Sequence, residues 1–158
     1  MQSVPIQLKV EGNEVVNHGF NEGNRLSRMA WLNTTIGLDN EITQGFKKIE
    51  REENKIKILG REVTIAPTGL PYTITSFFEP SNQFVLPEGE ALINAPFRFV
   101  VEKDNGEILK LEPAKLEFTD QSPSHISWQV INDGDACQLV CRGRMEYEGY
   151  MEYELSLR

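Results

Sequence analysis

The sequence is short of positive charge. Its 158 residues carry 16 Lys and Arg against 24 Asp and Glu, a formal net charge of -8. Phosphate backbones are gripped by clustered Lys and Arg, so this balance excludes nucleic acid as a partner. It disfavours an anionic membrane surface for the same reason. Long apolar runs are also missing, and none approaches the ~18 residues of a membrane span. Histidine is scarce: His18 and His125 stand far apart in the chain, without metal-ligand spacing. No Gly-rich phosphate loop, zinc pattern or nucleophile elbow occurs. No metal and no cofactor are therefore expected. "NDGD" (Asn132–Asp135) lacks the later bidentate Glu of a calcium loop and reads as a hairpin turn.

Cysteine is nearly absent as well. Cys137 and Cys141 are four residues apart, ~13 Å along a strand, too far for a disulfide. The opening "MQSVPIQLKVEGN" has neither the basic nor the apolar region of a signal peptide. The closing "MEYELSLR" stops on a strand-like alternation. Both ends read as boundaries of an excised piece.

What is present is ordinary globular chain. A hydrophobic content of 39% and a charged fraction of 25% over this length suit one domain with a core of its own. Period-two alternation recurs in "PIQLKV", "KIKIL", "REVTIA", "YTITSFF", "KLEFTD", "HISWQVI" and "ACQLVCR". Gly60, the turn Pro67–Pro71 and Asn105-Gly106 punctuate these runs. From Met145 to Leu157 the odd positions are mostly apolar and the even ones form an acidic stripe, which reads as one long strand. The expected fold is all-β, an antiparallel sandwich spanning residues 1–158 as a single domain. A larger supersandwich of the galactose-mutarotase type is the alternative. At most a short helical turn is expected near 25–32, where Asn24 is placed to cap Leu26, Met29 and Ala30.

Three features carry chemistry. In the stripe, Glu146 and Glu148, or Glu152 and Glu154, have Cα atoms ~6.6 Å apart on one strand face, a geometry that does not forbid a glycosidase dyad. A solvated or docked sheet face looks the same, and that is the favoured reading. Trp128 shares the parity of Ile126 and Val130 and reads as core. Trp31 lies in the irregular stretch Arg25–Ile42, where either core or surface is open to it.

"NEGNRLSRMAWLNTTIGLDNEIT", "IKILGREVTIAPTGLPYTITSFF" and "GRMEYEGYMEYELSL" together resemble the N-terminal region of large bacterial proteins of the glycoside hydrolase family 123-like group. The residues that carry the resemblance include Arg25–Arg28, Trp31–Asn33, Gly37–Asp39, Gly60-Arg61, Gly69–Pro71 and Glu148–Tyr150. It spans about Pro5 to Arg158. It implies a β-sandwich preceding a catalytic (β/α)8 barrel, in proteins exported to the periplasm or beyond the cell. Characterised members resemble retaining β-N-acetylgalactosaminidases that use the substrate's own acetamido group. Their catalytic Asp-Glu pair lies in the barrel, so no residue here inherits a catalytic role.

The expected function is a non-catalytic accessory module that braces its own C-terminal catalytic (β/α)8 domain and contacts glycan. Arg25, Arg28, Trp31, Asn33 and Asp39 are the candidates for docking or carbohydrate contact, since Arg and Trp are enriched at interface hot spots. Tyr72 and Tyr150 are secondary candidates. Two alternatives stay open. One is an autonomous carbohydrate-binding module with Trp31 and Tyr72 or Tyr150 as an aromatic platform. The other is a stand-alone glycosidase using the Glu146–Glu154 stripe.

Overall fold

The computed structural model describes Lys9, Gly12 and residues 40–158. The chain divides into two units, Met1–Asp39 and Asn40–Arg158, and every described strand belongs to the second. The strand read in "PIQLKV", Lys9 apart, and the helical turn near 25–32 lie outside the described residues.

Among the described residues all regular structure is β, and every pairing is antiparallel. One sheet is a meander in chain order: β1 (Glu50–Glu52), β2 (Lys55–Ile58), β3 (Arg61–Ile65), β4 (Pro71–Phe78) and β5 (Val85–Ala91). A small ribbon follows, β6 (Val101–Glu102) with β7 (Ile108–Leu109). The second sheet holds β8 (Glu112–Pro113), β9 (Glu117–Gln121), β10 (His125–Asp133), β11 (Gln138–Glu146) and β12 (Met151–Leu157). Its order is β12-β11-β10-β8, with β9 also pairing β10. Ile56, Val63 and Ile65 of the first sheet pack against Ile126, Trp128 and Met145 of the second in one buried cluster. This is the antiparallel β-sandwich expected from the alternation.

One row of side chains organises the second sheet. Phe118 pairs with Trp128, Trp128 with Gly143, and Gly143 with Tyr153, so four strands meet on a single line. Gly143 has no side chain, and the indole lies over it: a Cβ there would sit 2.3 Å from Trp128 Cε2. Tyr153 meets the same indole edge-on at 5.8 Å and Phe118 at 6.3 Å. Trp128 is 1% exposed, and its Nε1 donates to the carbonyl of Gly69 at 2.8 Å. Gly69 belongs to the loop between β3 and β4, so this bond ties the second sheet to the first.

Three hairpin loops share one geometry. In Pro67–Gly69, Asp104–Gly106 and Tyr147–Gly149 the Gly N–H donates to the carbonyl three residues back. The residue before each loop donates its N–H to the carbonyl of the residue after it. This is a type I turn closed by a glycine in the left-handed region, with φ of +90° at Gly69 and +98° at Gly149. Such a loop of three leaves the flanking pair with the same parity.

That arithmetic explains a correction. The run from Met145 is not one strand but the end of β11, the loop Tyr147–Gly149 and β12. Met145 pairs with Met151, both odd, so the apolar alternation passes through the turn without a phase break. Two other strands, β1 and β5, have no counterpart in the alternation. β5 is exposed along its whole length and contains Pro87, which an edge strand tolerates.

The packing of Trp128 on Gly143 sets a measurable expectation. Gly143→Ala should lower stability by about 1–3 kcal/mol through overpacking. Trp128→Phe should also destabilise, because it removes the donor to Gly69 along with part of the ring. Urea unfolding followed by circular dichroism checks both. An unchanged midpoint in Gly143→Ala would mean that the row yields without cost.

Candidate functional site

Arg25, Arg28, Trp31, Asn33 and Asp39 lie outside the described residues. Tyr72 and Tyr150 are described, and both are exposed, by 52% and 58%. They stand at different ends of the sandwich. Tyr150 follows Gly149, whose Cα faces Ile58 and Arg61. Arg61 pairs with Ser76, which is four residues, or ~13 Å, along β4 from Tyr72. The two rings therefore do not combine into one stacking surface.

The acidic stripe faces outward and is interleaved with arginine. Across the β11–β12 ladder Arg144 lies opposite Glu152, and Arg142 opposite Glu154. Arg142 reaches Glu154 at 3.2 Å and also donates its Nε to Gln129 at 2.8 Å. Arg144 reaches Glu146 at 3.1 Å. The face is a mixed-charge ladder, in which exposed ion pairs add little stability. Among the described residues no group of three or more His, Cys, Asp or Glu is placed to hold a metal.

A tighter polar cluster sits at the start of β10. His125 is 9% exposed; its Nε2 lies 2.8 Å from Asp120 Oδ2 and its Nδ1 lies 2.9 Å from Ser122 Oγ. The residue types are those of a nucleophilic triad. Here, however, Ser122 Oγ accepts the backbone N–H groups of Ser124 and His125 at 3.2 and 3.1 Å. Its lone pairs are engaged in shaping the turn into β10. Ser124 Oγ extends the network by donating to Asn40 Oδ1 at 3.1 Å. The hydrogen bond from His125 holds the Asp120 carboxyl below its usual range, with Arg144 a lesser contributor. Spacing alone leaves His125 without partners, although "DQSPSH" places two hydroxyls and a carboxylate within five residues of it.

The free edge of the first sheet is apolar. Phe84 precedes β5, Val85 and Leu86 open it, and Leu92, Phe97 and Phe99 follow it, each between 39% and 64% exposed. Leu92 and Phe97 donate their backbone N–H groups to the carbonyls of Ile74 and Pro71, which keeps this segment alongside β4. Tyr72 lies on the same strand. These exposed apolar residues form two groups along the edge, with Glu88 and Glu90 of β5 between them.

A family model described as glycoside hydrolase 123, third domain, matches residues 49–158. The chain belongs to that family. The match begins one residue before β1 and so is coextensive with the sandwich. The family description is of a third domain, and it lends no support to the N-terminal placement that the resemblance implied. The stretch Arg25–Ile42, prominent in that resemblance, precedes the match. No curated protein and no solved structure shows significant similarity to the chain.

Two solution properties follow from this surface. The Asp120 carboxyl is held below its ordinary value of 3.8, so its contribution to stability is present above about pH 4. It is lost as pH falls through the lowered value. Asp120→Asn should be less stable than the parent at neutral pH, and the gap should close on acidification, as read by urea midpoints across a pH series. Cys141 is fully buried, and burial pushes its thiol up to about 11. At pH 8 iodoacetamide should label the half-exposed Cys137 and spare Cys141 until the protein is unfolded, one adduct by mass becoming two.

Proposed function

We propose that this chain is a non-catalytic accessory module of a multidomain glycoside hydrolase, bracing the catalytic (β/α)8 domain and lying beside bound glycan. The observation that carries this reading is the apolar edge from Phe84 to Phe99. A domain that is third in a series has neighbours in the same protein, and an exposed apolar edge of this kind is what a neighbouring domain would cover. The carboxylates of the acidic stripe favour the same reading. They alternate with Arg142 and Arg144 on an open sheet face, whereas a glycosidase dyad works across a cleft that holds the sugar.

The test is reconstitution. The 158-residue chain and the catalytic part of its parent, expressed separately, should co-migrate in size-exclusion chromatography. Phe84→Ser with Leu92→Ser should abolish the complex while leaving the fold of the chain intact by circular dichroism. Independent migration of the unaltered chain would sink the bracing role.

Tyr72 supports a second reading, an autonomous carbohydrate-binding module. Its ring is exposed on β4, and the backbone of the exposed Phe97 bonds to the preceding residue, Pro71. A glycan array should then show selective binding that Tyr72→Ala or Trp31→Ala removes. Silence from all three proteins would leave only the bracing role.

A further inference from the structure

The second sheet has one long open side. Its order ends at β12, and no other strand among the described residues pairs with that strand's far side. β12 runs seven residues, Met151–Leu157, with no register shift against β11. The other edges are interrupted: β5 carries Pro87, β1 has three residues, β8 has two, and β9 pairs through a register shift. Natural sheets blunt an edge with lysine, proline or a bulge, and β12 has none of these.

The ladder fixes which backbone groups point outward. Gln138 and Arg158 exchange both N–H···O bonds, each at 2.9 Å. In an antiparallel pair such residues alternate with pairs that exchange none. Ser156, Glu154 and Glu152 are therefore bonded to β11, opposite Val140, Arg142 and Arg144. Met151, Tyr153, Leu155 and Leu157 turn their N–H and C=O groups to the open side. The two faces of this edge differ. Tyr153 packs inward on Trp128, and Leu155 and Leu157 share its parity, yet these leucines stay 41% and 50% exposed. On the outer face Glu154 pairs with Arg142, while Arg144 turns to Glu146. Glu152, opposite Arg144, and Glu148, in the adjoining loop, form no ion pair among the described residues.

We propose that the open side of β12 takes up an extended segment of a partner polypeptide in which apolar residues alternate with Lys or Arg. The segment adds antiparallel, as every described strand of this chain does, and its backbone bonds to Met151, Tyr153, Leu155 and Leu157. Its apolar residues lie opposite these positions and cover Leu155 and Leu157. Its cations lie opposite Glu152 and Glu154, where unlike charges across a ladder attract. Charge decides against a second copy of this chain as the occupant. Two β12 strands side by side would set glutamate stripe against glutamate stripe, in a chain of net charge -8. The inference does not rest on the bracing role, which uses the edge of the other sheet.

The experiment is a fluorescence anisotropy titration of the 158-residue chain into a labelled seven-residue peptide of alternating valine and lysine. Saturable binding is expected, weakened by added salt. The same peptide with glutamate for lysine, or with its valine nitrogens methylated, should not bind. Glu152→Lys should weaken binding about tenfold or more, because a like charge replaces an unlike one. Leu155→Pro removes a donor that faces the open side and none that β11 uses, so it should abolish binding with the fold intact by circular dichroism. Glu152→Lys, at the surface, decides alone if the proline variant unfolds. Amide NMR shifts on binding should centre on Met151–Leu157. The proposal is overturned by absence of saturable binding, by equal binding of the methylated peptide, by undiminished binding in Glu152→Lys, or by shifts confined to Phe84–Phe99. A dimer of the chain alone in analytical ultracentrifugation would give the edge to a second copy and overturn it as well. The co-migration test of the bracing role reads the other sheet, so the two proposals fail separately.

Discussion

The hydrogen bond from the Trp128 indole to the Gly69 carbonyl is the point on which the sandwich turns. An indole is the largest side chain available to fill an inter-sheet space, and its one donor must find a partner when buried. Here the partner is a loop of the opposite sheet. The ring can lie flat enough to reach it only because Gly143 leaves the neighbouring strand bare. Tyr153 and Phe118 then close the row from either side. Position, glycine and loop conformation are thus a single condition, and the cross-sheet contacts of Ile56, Val63, Ile126 and Met145 assemble around it.

With the inner faces committed in this way, the outer surfaces are free to differ. The second sheet presents alternating Arg and Glu, a face that stays hydrated and resists casual association. The first sheet ends in an apolar edge with proline in its last strand. At one end sits a cavity with leucine walls that Thr68, Arg98 and Asn132 also line. These three surfaces differ in chemistry.

Much of this is legible in the sequence, for reasons that differ by element. β2, β3, β10 and β11 are half-buried, so their alternation is written in side-chain polarity, and Trp128 announces its burial by sharing parity with Ile126 and Val130. The loops at Pro67 and Asn105 are declared by residues that suit them. β5 has water on both sides and so carries no period to read. The hairpin at Tyr147–Gly149 is hidden because its odd-length loop preserves phase. The Asp120–His125 network is local in the chain, yet its meaning depends on which lone pairs the backbone occupies. Asn132 reads only as an inward polar residue of a strand. Its amide donates to the carbonyls of Thr68 and Leu139, a convergence which no spacing in one segment encodes.

The phase-keeping loops have a consequence for how such a domain can vary over time. Where the loop has three residues, as at Asp104–Gly106 and Tyr147–Gly149, gain or loss of one residue would rotate every later side chain of the hairpin to the wrong face. Paired insertions would leave the faces intact. Where the loop has two residues, as between Ile58 and Arg61, or four, as between Asp133 and Gln138, the phase is already inverted and the same rule applies from the opposite starting point. Related sandwiches should therefore differ at these loops by even numbers of residues, with odd changes confined to places where a bulge, such as the one beside Trp128, can absorb the slip.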